Sequence, residues 1–169
     1  ELEKENIKNI IDKAYPFEKK INNNPKTKNL EINPFCKVDL RVGKIIKVYD
    51  HPNSENLFCE EIDVGEEKPR LIVSGLKKYY TSDEILNKLV MVVLNLQPRK
   101  LVGIQSNGMI IAAKSNDGNT VQLIEPPSDS KPGDIIKVAN LPDPKPVSKI
   151  KIKSNGNDAW SQVLKKLNT

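Results

Sequence analysis

The apolar residues in the middle of this chain either alternate with polar ones or run together in short stretches, and both patterns are typical of β-strands. Four successive segments predict the first four strands: VDLRVGKIIKVYD, LFCEEIDV, RLIVSG and LVMVVLNL. Three shorter segments predict the strands that follow: GMIIAAK, NTVQLIE and DIIKV. Gly43 lies in the middle of the first segment and predicts a sharp bend, because a glycine inside a strand often marks a bulge or kink.

A short helix is predicted between the third and fourth strands, in the segment TSDEILNKL. Thr81 is followed three residues later by Glu84, which is the spacing of a capping box at a helix N-terminus. Five or more short strands, a bent first strand and one helix at this position predict an all-β core. The expected architecture is the oligonucleotide-binding (OB) fold, a five-stranded Greek-key barrel. With 37% apolar residues, the chain is expected to build one modest core.

Amphipathic helices are predicted at both ends of the chain. The segment before Pro16 has apolar residues at helical spacing, namely Leu2, Ile7, Ile10, Ile11 and Ala14. Near the C-terminus, SKIKIK is expected to form a strand, and Asn157 or Asp158 is expected to cap a helix. The apolar face of that helix would consist of Trp160, Val163, Leu164 and Leu167.

These patterns divide the chain into an N-terminal helix and linker (1–36), a barrel domain (37–138) and a C-terminal extension (139–169). The extension is too short to fold alone, so it is expected to dock either on its own barrel or on a partner chain. The sequence therefore leaves open a monomer and a homodimer formed through the terminal segments.

The distribution of charge is more informative than the net charge of +5. The barrel segment carries 14 basic and 14 acidic residues, and the extension carries 6 basic and 2 acidic ones. Acidic residues crowd into EEIDVGEE and are absent from Ile85 through Asn116. The charged residues of that acid-free window are Lys88, Arg99, Lys100 and Lys114. A neutral domain with one such basic patch can bind a polyanion locally.

Catalytic signatures are missing from the sequence. The single histidine, His51, precedes Pro52 and is expected to shape a loop. The pairs Glu60/Glu61 and Glu66/Glu67 are expected to form a solvated acidic rim, because neighbouring residues of a strand point to opposite faces. No nucleophile elbow, P-loop or dinucleotide-binding motif occurs. We therefore expect no catalytic activity in this domain and no cofactor.

Two cysteines, Cys36 and Cys59, are expected to be unpaired thiols of a cytoplasmic protein. With one histidine, they supply too few ligands for a zinc site, so no bound metal is expected. No apolar run approaches the ~20 residues that cross a bilayer, so no membrane association is expected either.

Candidate RNA contacts lie around the predicted bend at Gly43 and in the segment that follows Pro98. Basic side chains would contact phosphates, and Ser or Asn would add hydrogen bonds to phosphate or sugar. The candidates are Arg41, Lys44, Arg99, Lys100, Ser106, Asn107 and Met109. A solvated β-turn would explain Arg99 and Lys100 equally well. The acid-free window contains no aromatic residue, which argues against stacking on single strands and favours a folded RNA.

Three segments of the chain together resemble the tRNA-binding domain of the EMAP II (endothelial monocyte-activating polypeptide) type. They are VDLRVGKI, HPNSENLFCEEIDVGEEKPRLIVSGL and LVMVVLNLQPRKLVGIQSNGMIIAA, within about residues 38–138. The resemblance adds Asn95 to the candidates, since Asn95, Arg99 and Lys100 match the family's Asn-Leu-Lys-Pro-x-Lys segment. Ser106 and Met109 match its Ser-x-Gly-Met. The chain departs from the family at Gln97, where the pattern has lysine.

The resemblance implies an OB fold that grips the outer corner of tRNA, largely without sequence selection. It also implies delivery of tRNA to an aminoacyl-tRNA synthetase catalytic domain, in cis or in trans. The chain would then be a fragment of a cytoplasmic synthetase of the methionyl or tyrosyl type. Two alternatives are an assembly module of a synthetase complex and, through RVGKII, a cytokine-like signalling fragment.

Overall fold

The computed structural model describes residues 33–115 and 117–167, and the side chains of this range except those of 166 and 167. The N-terminal helix predicted from Leu2, Ile7, Ile10 and Ile11 lies outside the described residues. The strands are β1 (Leu40–Asp50), β2 (Phe58–Asp63), β3 (Arg70–Ser74), β4 (Leu89–Val93), β5 (Arg99–Leu101), β6 (Ile104–Ser106), β7 (Met109–Ile110), β8 (Ala112–Lys114) and β9 (Val121–Leu123). The helices are α1 (Ser82–Ile85) and α2 (Ala159–Leu167), with 3₁₀ turns at Pro34–Lys37 and Leu76–Lys78.

Five antiparallel strands form the main sheet in the order β3-β2-β1-β4-β7. The sheet curls until β3 meets the segment before β7. There the Asn107 amide donates to the Leu71 carbonyl at 2.9 Å, and the Val73 amide donates to the Ser106 hydroxyl at 3.0 Å. The result is a nearly closed barrel, and the prediction of an OB-like, mostly β fold is confirmed.

The bend in β1 has two local causes. A Cβ atom at Gly43 would lie 2.7 Å from the Cγ2 of Ile62, so only glycine lets this strand pass so close to the core. The register with β2 then shifts between Ile45 and Lys47, where one extra residue makes a bulge. The bend predicted from Gly43 is therefore present, and it is completed by a bulge that the sequence pattern did not indicate.

Three predicted strands differ from the structure. The segment GMIIAAK is broken at Ile111, so that β7 continues the main sheet while β8 pairs with β9. The segment DIIKV forms only a bridge between Ile135 and Arg41, and SKIKIK forms only a bridge between Ile150 and Leu96.

The helix α1 is a single turn that connects β3 to β4. The Glu84 carboxylate accepts hydrogen bonds from the backbone amide and the hydroxyl of Thr81, at 2.6 and 2.9 Å. The helix ends at Ile85 because Leu86 is extended and Asn87 has a φ of 65°. It is therefore shorter than the segment TSDEILNKL suggested.

Strand β4 is apolar on both faces because it lies between two clusters of buried side chains. Val90, Val92 and Leu94 point into the barrel, while Met91 and Val93 point outward. The outer cluster, which we call the outer core, consists of Phe35, Val38, Leu40, Met91, Val93, Leu96, Val138, Ile150, Trp160 and Val163. The expectation of one modest core is thus wrong, since the barrel interior and the outer core are separate clusters.

The C-terminal extension covers the outer face of its own barrel. Asp158 caps α2, accepting from the Ser161 amide at 2.8 Å and from the Lys153 amide at 2.9 Å. Although burial acts in the opposite direction, these hydrogen bonds hold the pKa of Asp158 below its usual value. Trp160 and Val163 of α2 are buried in the outer core. The division into segments 1–36, 37–138 and 139–169 stays a prediction.

Among the described residues, no helix has the length and apolar character needed to cross a membrane. Cys36 and Cys59 are both buried as free thiols, and burial raises the pKa of each.

Candidate nucleic-acid interface

The segment that contains Arg99 and Lys100 is a two-stranded hairpin, β5–β6, which we call the basic hairpin (residues 99–106). Arg99 and Lys100 therefore lie in a strand and not in the simple β-turn that was the alternative explanation for them. Because side chains alternate along a strand, Arg99 and Lys100 project from opposite faces. Both side chains are exposed, and within residues 33–115 and 117–167 neither makes an ion pair.

Buried polar side chains fix the basic hairpin to the barrel. His51 is 3% exposed, and its Nδ1 accepts from the Asn53 amide at 3.1 Å. Its Nε2 therefore carries the proton and donates to the Leu101 carbonyl at 3.0 Å. The loop-shaping role predicted for His51 thus extends to holding the hairpin, a role that the sequence did not indicate because the two residues are far apart in the chain.

Two predicted RNA contacts, Asn95 and Ser106, are used inside the fold. The buried Asn95 amide accepts from the Asp39 amide at 2.9 Å and donates to the carbonyls of Lys37 and Val147 at 2.9 and 2.8 Å. The buried Ser106 hydroxyl accepts from Val73 and donates to the Gly108 carbonyl at 3.1 Å. Because these groups are buried and already have partners inside the fold, neither residue is a proposed RNA contact.

Arg41 and Lys44 lie on β1 rather than on the basic hairpin. The Arg41 guanidinium binds both carboxylate oxygens of Asp39, at 2.8 and 3.1 Å. This hydrogen bonding raises the pKa of Arg41 and shares its charge with an acid. Lys44 is half-buried and faces Asp63 across the ladder with β2. These two residues are therefore weaker candidates for phosphate contacts than Arg99 and Lys100.

Asn107 and Met109 adjoin the basic hairpin. The Asn107 side-chain oxygen accepts from the Gln105 side chain at 2.9 Å, and the backbone carbonyl of Asn107 accepts from the Arg70 guanidinium at 3.1 Å. Met109 is 38% exposed. Both residues thus lie beside the hairpin at the surface, where contact residues are expected.

The acid-free window contributes fewer available charges than the sequence suggested. Lys88 forms an ion pair with Glu125, which lies outside the window, so Arg99, Lys100 and Lys114 are left. Lys151, from the C-terminal extension, joins Arg99 and Lys114 around a cleft beside the hairpin. Sequence reasoning missed Lys151, although the alternation in KIKIK and the basic extension were signals that could have pointed to it.

The tip of the basic hairpin is strained. Its two-residue turn has positive φ at both Val102 (48°) and Gly103 (91°), and Val102 is 53% exposed. Such a turn favours Asn-Gly, and a β-branched residue is rarely found at positive φ. Val102 thus presents an exposed apolar side chain at the tip of the basic hairpin in spite of this strain. We therefore add Val102 to the candidate contacts.

Replacing Val102 with asparagine is expected to raise the free energy of unfolding by about 1 kcal/mol, because asparagine tolerates left-handed backbone with less strain. Urea unfolding of the wild type and the variant measures the difference. Gly103→Ala is the matched control and should lower the same quantity, since it introduces a side chain at positive φ. Equal or lower stability of Val102→Asn would contradict the assignment of strain.

Glu60 is not part of a solvated acidic rim, and that expectation is wrong for this residue. Its side chain is fully buried inside the barrel, on the same face of β2 as Phe58 and Ile62. The Ser74 hydroxyl donates to one carboxylate oxygen, and the other has no partner among the described residues. Burial raises the pKa of Glu60 to about 8, although the hydrogen bond from Ser74 acts in the opposite direction.

A nearly closed OB-like barrel, with a hairpin whose basic side chains make no ion pair among the described residues, is typical of an oligonucleotide-binding domain. Residues 40–135, more than half of the chain, match the family described as "Putative tRNA binding domain". The chain therefore belongs to this family of tRNA-binding domains, and the resemblance to the EMAP II type is confirmed.

Similar proteins include two synthetases. The chain is 40% identical over 153 residues to "Tyrosine--tRNA ligase, cytoplasmic" of Xenopus tropicalis, covering 87% of this chain and 29% of the ligase. It is 43% identical over 127 residues to "Methionine--tRNA ligase" of Pyrococcus furiosus, covering 75% of this chain and 17% of the ligase. The chain thus spans less than a third of either relative.

A similar solved structure is the C-terminal domain of Plasmodium vivax p43. It superposes with a TM-score of 0.68 and 30% sequence identity, over 73% of this chain and 74% of that domain. The aligned part of this chain is therefore longer than residues 40–135, the part that matches the family.

Proposed function

We propose that this domain grips the sugar-phosphate backbone of tRNA at its outer corner, largely without sequence selection. The observation that carries the proposal is the basic hairpin, which holds Arg99 and Lys100 exposed on opposite faces without an ion pair among the described residues. Phosphate contacts of this kind position a protein on RNA but read no sequence. Membership of the tRNA-binding family supports tRNA as the polyanion.

The proposed contact set follows from exposure and charge. Its members are Arg99, Lys100, Lys114 and Lys151 for phosphates, with Val102, Asn107 and Met109 beside them. Arg41 and Lys44 are retained as secondary contacts on β1, because each is partly exposed. Asn95, Ser106 and His51 would act indirectly, by holding the hairpin and its surroundings in place.

We propose further that the grip delivers tRNA to an aminoacyl-tRNA synthetase catalytic domain of the methionyl or tyrosyl type, in cis or in trans. The ligases that the chain resembles are of these two kinds, and the Xenopus enzyme is named as the cytoplasmic one, a location that we propose for this chain as well. Linking a weak binding module to a second site can raise apparent affinity ~10²–10⁴-fold when the geometry permits.

Replacing both Arg99 and Lys100 with alanine is expected to weaken tRNA binding and to reduce its dependence on salt. The slope of log K against log salt should become shallower by ~0.7–0.9 for each phosphate that the variant no longer neutralises. Binding of a mixed tRNA pool at several salt concentrations measures both quantities.

The matched control is Lys47→Ala/Lys137→Ala, which removes two positive charges that are paired with Glu61 and Asp143. This control should retain the wild-type slope. If the hairpin variant and the control behave alike, the site lies elsewhere. If the wild type fails to bind tRNA at low salt, the proposed function is wrong.

The alternative of an assembly module loses part of its support. Of the apolar stripe expected to dock a partner, Trp160 is buried against the chain's own barrel, while Leu164 remains 38% exposed. The RVGKII segment forms part of β1, hydrogen-bonded within the sheet, which disfavours a signalling role for it. A homodimer stays a prediction, which sedimentation of the intact chain would test.

A further inference from the structure

A cleft of about 720 Å³ lies between the basic hairpin and the C-terminal extension, and we call it the hairpin cleft. Its volume falls in the range of pockets that hold small ligands. Its lining includes Tyr79, Gly75, Arg99, Leu101 and Met109. The Tyr79 hydroxyl donates to the Gly118 carbonyl at 3.4 Å, which restrains the ring.

The C-terminal extension supplies one wall of the hairpin cleft. The Gln97 amide donates to the Ile150 carbonyl at 2.8 Å, and the Ile150 amide donates to the Asn95 carbonyl. These two hydrogen bonds position the extension so that the next residues, Lys151 and Ile152, line the cleft. Ile152 is 50% exposed, so this wall presents an apolar side chain beside a cation.

The charges around the hairpin cleft have one sign. Arg99, Lys114 and Lys151 line it, and none of them makes an ion pair among the residues that the structure describes. The described lining contains no aspartate or glutamate. A lining that combines apolar side chains, one tyrosine and three cations complements a nucleotide, whose base has a flat face for stacking and whose phosphate is anionic.

We propose that the hairpin cleft takes one unstacked nucleotide of the bound tRNA, with its base against Tyr79 and Met109 and its phosphate near Arg99 and Lys151. This inference rests on the proposed function and deepens it, because it adds a base contact to the backbone grip. The absence of aromatic residues from the acid-free window argued against stacking. Tyr79 comes from outside that window, and only the fold brings it to the hairpin. An anionic ligand fits the uniform positive charge better than an uncharged extended peptide does.

The test is a variant that fills the cleft without disturbing the fold. Gly75 has a φ of −87°, and a Cβ atom added there meets no heavy atom within 4 Å. Gly75→Phe should therefore fold normally, which circular dichroism and thermal unfolding would verify, and its ring should occupy the cleft. Gly75→Ala is the matched control, because it makes the same backbone change without filling the space.

At fixed salt, Gly75→Phe is expected to weaken tRNA binding roughly tenfold or more, the loss expected from one stacked base. Its salt slope should become shallower by no more than ~0.7–0.9, because at most the one phosphate beside Arg99 and Lys151 is lost. Gly75→Ala should weaken binding much less than Gly75→Phe, because a methyl group leaves most of the cleft open. In a second experiment, millimolar 5′-AMP or 5′-UMP should shift the NMR methyl signals of Met109 and Ile152. Ribose 5-phosphate should shift them less, and Gly75→Phe should abolish the shifts.

The proposal requires both results, and failure of either overturns it. Equal shifts with ribose 5-phosphate would assign the cleft to phosphate alone, and shifts only with an apolar peptide would assign it to protein. If the wild type does not bind tRNA at all, the proposed function fails and the inference fails with it. If the wild type binds tRNA but Gly75→Phe binds it equally well, the inference alone fails. The two failures are therefore distinguishable.

Discussion

Replacing Glu60 with glutamine is expected to remove most of the pH dependence of the free energy of unfolding between about pH 5 and pH 8. In the folded protein, burial in the barrel raises the pKa of Glu60 to about 8. In the unfolded chain a glutamate titrates near ~4.3. Between these values the folded state holds a proton that the unfolded state has released.

The sign of the effect follows from proton binding. The stability that depends on protonated Glu60 is fully present below the unfolded pKa and is lost as the pH rises through the folded pKa. The loss amounts to about 1.4 kcal/mol per pH unit across that window. Carboxyl groups whose pKa is lowered, such as Glu66 and Asp158, act in the opposite sense and at more acidic pH.

Urea unfolding of the wild type and Glu60→Gln at pH 5, 6, 7 and 8 would measure the difference, and the comparison isolates the contribution of Glu60 because the two proteins share all other titratable groups. Glu61→Gln is the matched control, since Glu61 is the next residue of β2 but is partly exposed and paired with Lys47. The control should retain the wild-type slope. A wild-type stability that does not fall from pH 5 to pH 8, or a Glu60→Gln slope equal to it, would show that the buried carboxyl does not titrate as described.

Replacing Trp160 with alanine is expected to lower the free energy of unfolding by about 3–5 kcal/mol, the usual loss for a buried tryptophan. Trp160 is 3% exposed and packs in the outer core with residues from β1, β4 and the first 3₁₀ turn. Its removal would leave a cavity at the point where α2 meets the barrel. Since Lys151 and Ile152 reach the hairpin cleft from the same extension, the variant should also loosen the cleft wall.

Chemical denaturation would measure the stability loss, and limited proteolysis would report whether the extension is released first. Leu164→Ala is the control on the same helix, since Leu164 is 38% exposed and should change stability by less than about 1 kcal/mol. Equal effects of the two substitutions would contradict the role assigned to the outer core. Cleavage that begins inside the barrel rather than in the extension would contradict the order of release.

Much of the fold could be read from local pattern. The alternation of apolar residues located β1 to β4, and Gly43 marked the bend because a strand that crosses the core closely needs a residue without a side chain. Thr81 and Glu84 marked the helix start, because a capping box is made within one turn. The same period of two also placed Glu60 on the face of Phe58 and Ile62, a signal of burial that the solvated-rim interpretation overlooked.

The candidate site could be read only in part. The acid-free window located Arg99 and Lys100, because charge is visible in a sequence. The roles of Asn95 and Ser106 were not visible, since a polar side chain can bind RNA or satisfy buried backbone groups, and the choice depends on what surrounds it. Lys88 was counted as an available charge because its partner Glu125 lies far along the chain.

The sequence by itself therefore determined the first four strands, the bend, the family and the basic segment, because each of these depends on patterns made by residues close together in the chain. The tertiary structure decided that the extension covers its own barrel, that His51 holds the hairpin, and that Tyr79, Arg99 and Lys151 surround one cleft. These juxtapositions depend on barrel closure and on the bridge between Leu96 and Ile150, which join segments far apart in sequence. Local propensity carries no information about such contacts, because their partners are chosen only when the chain closes on itself.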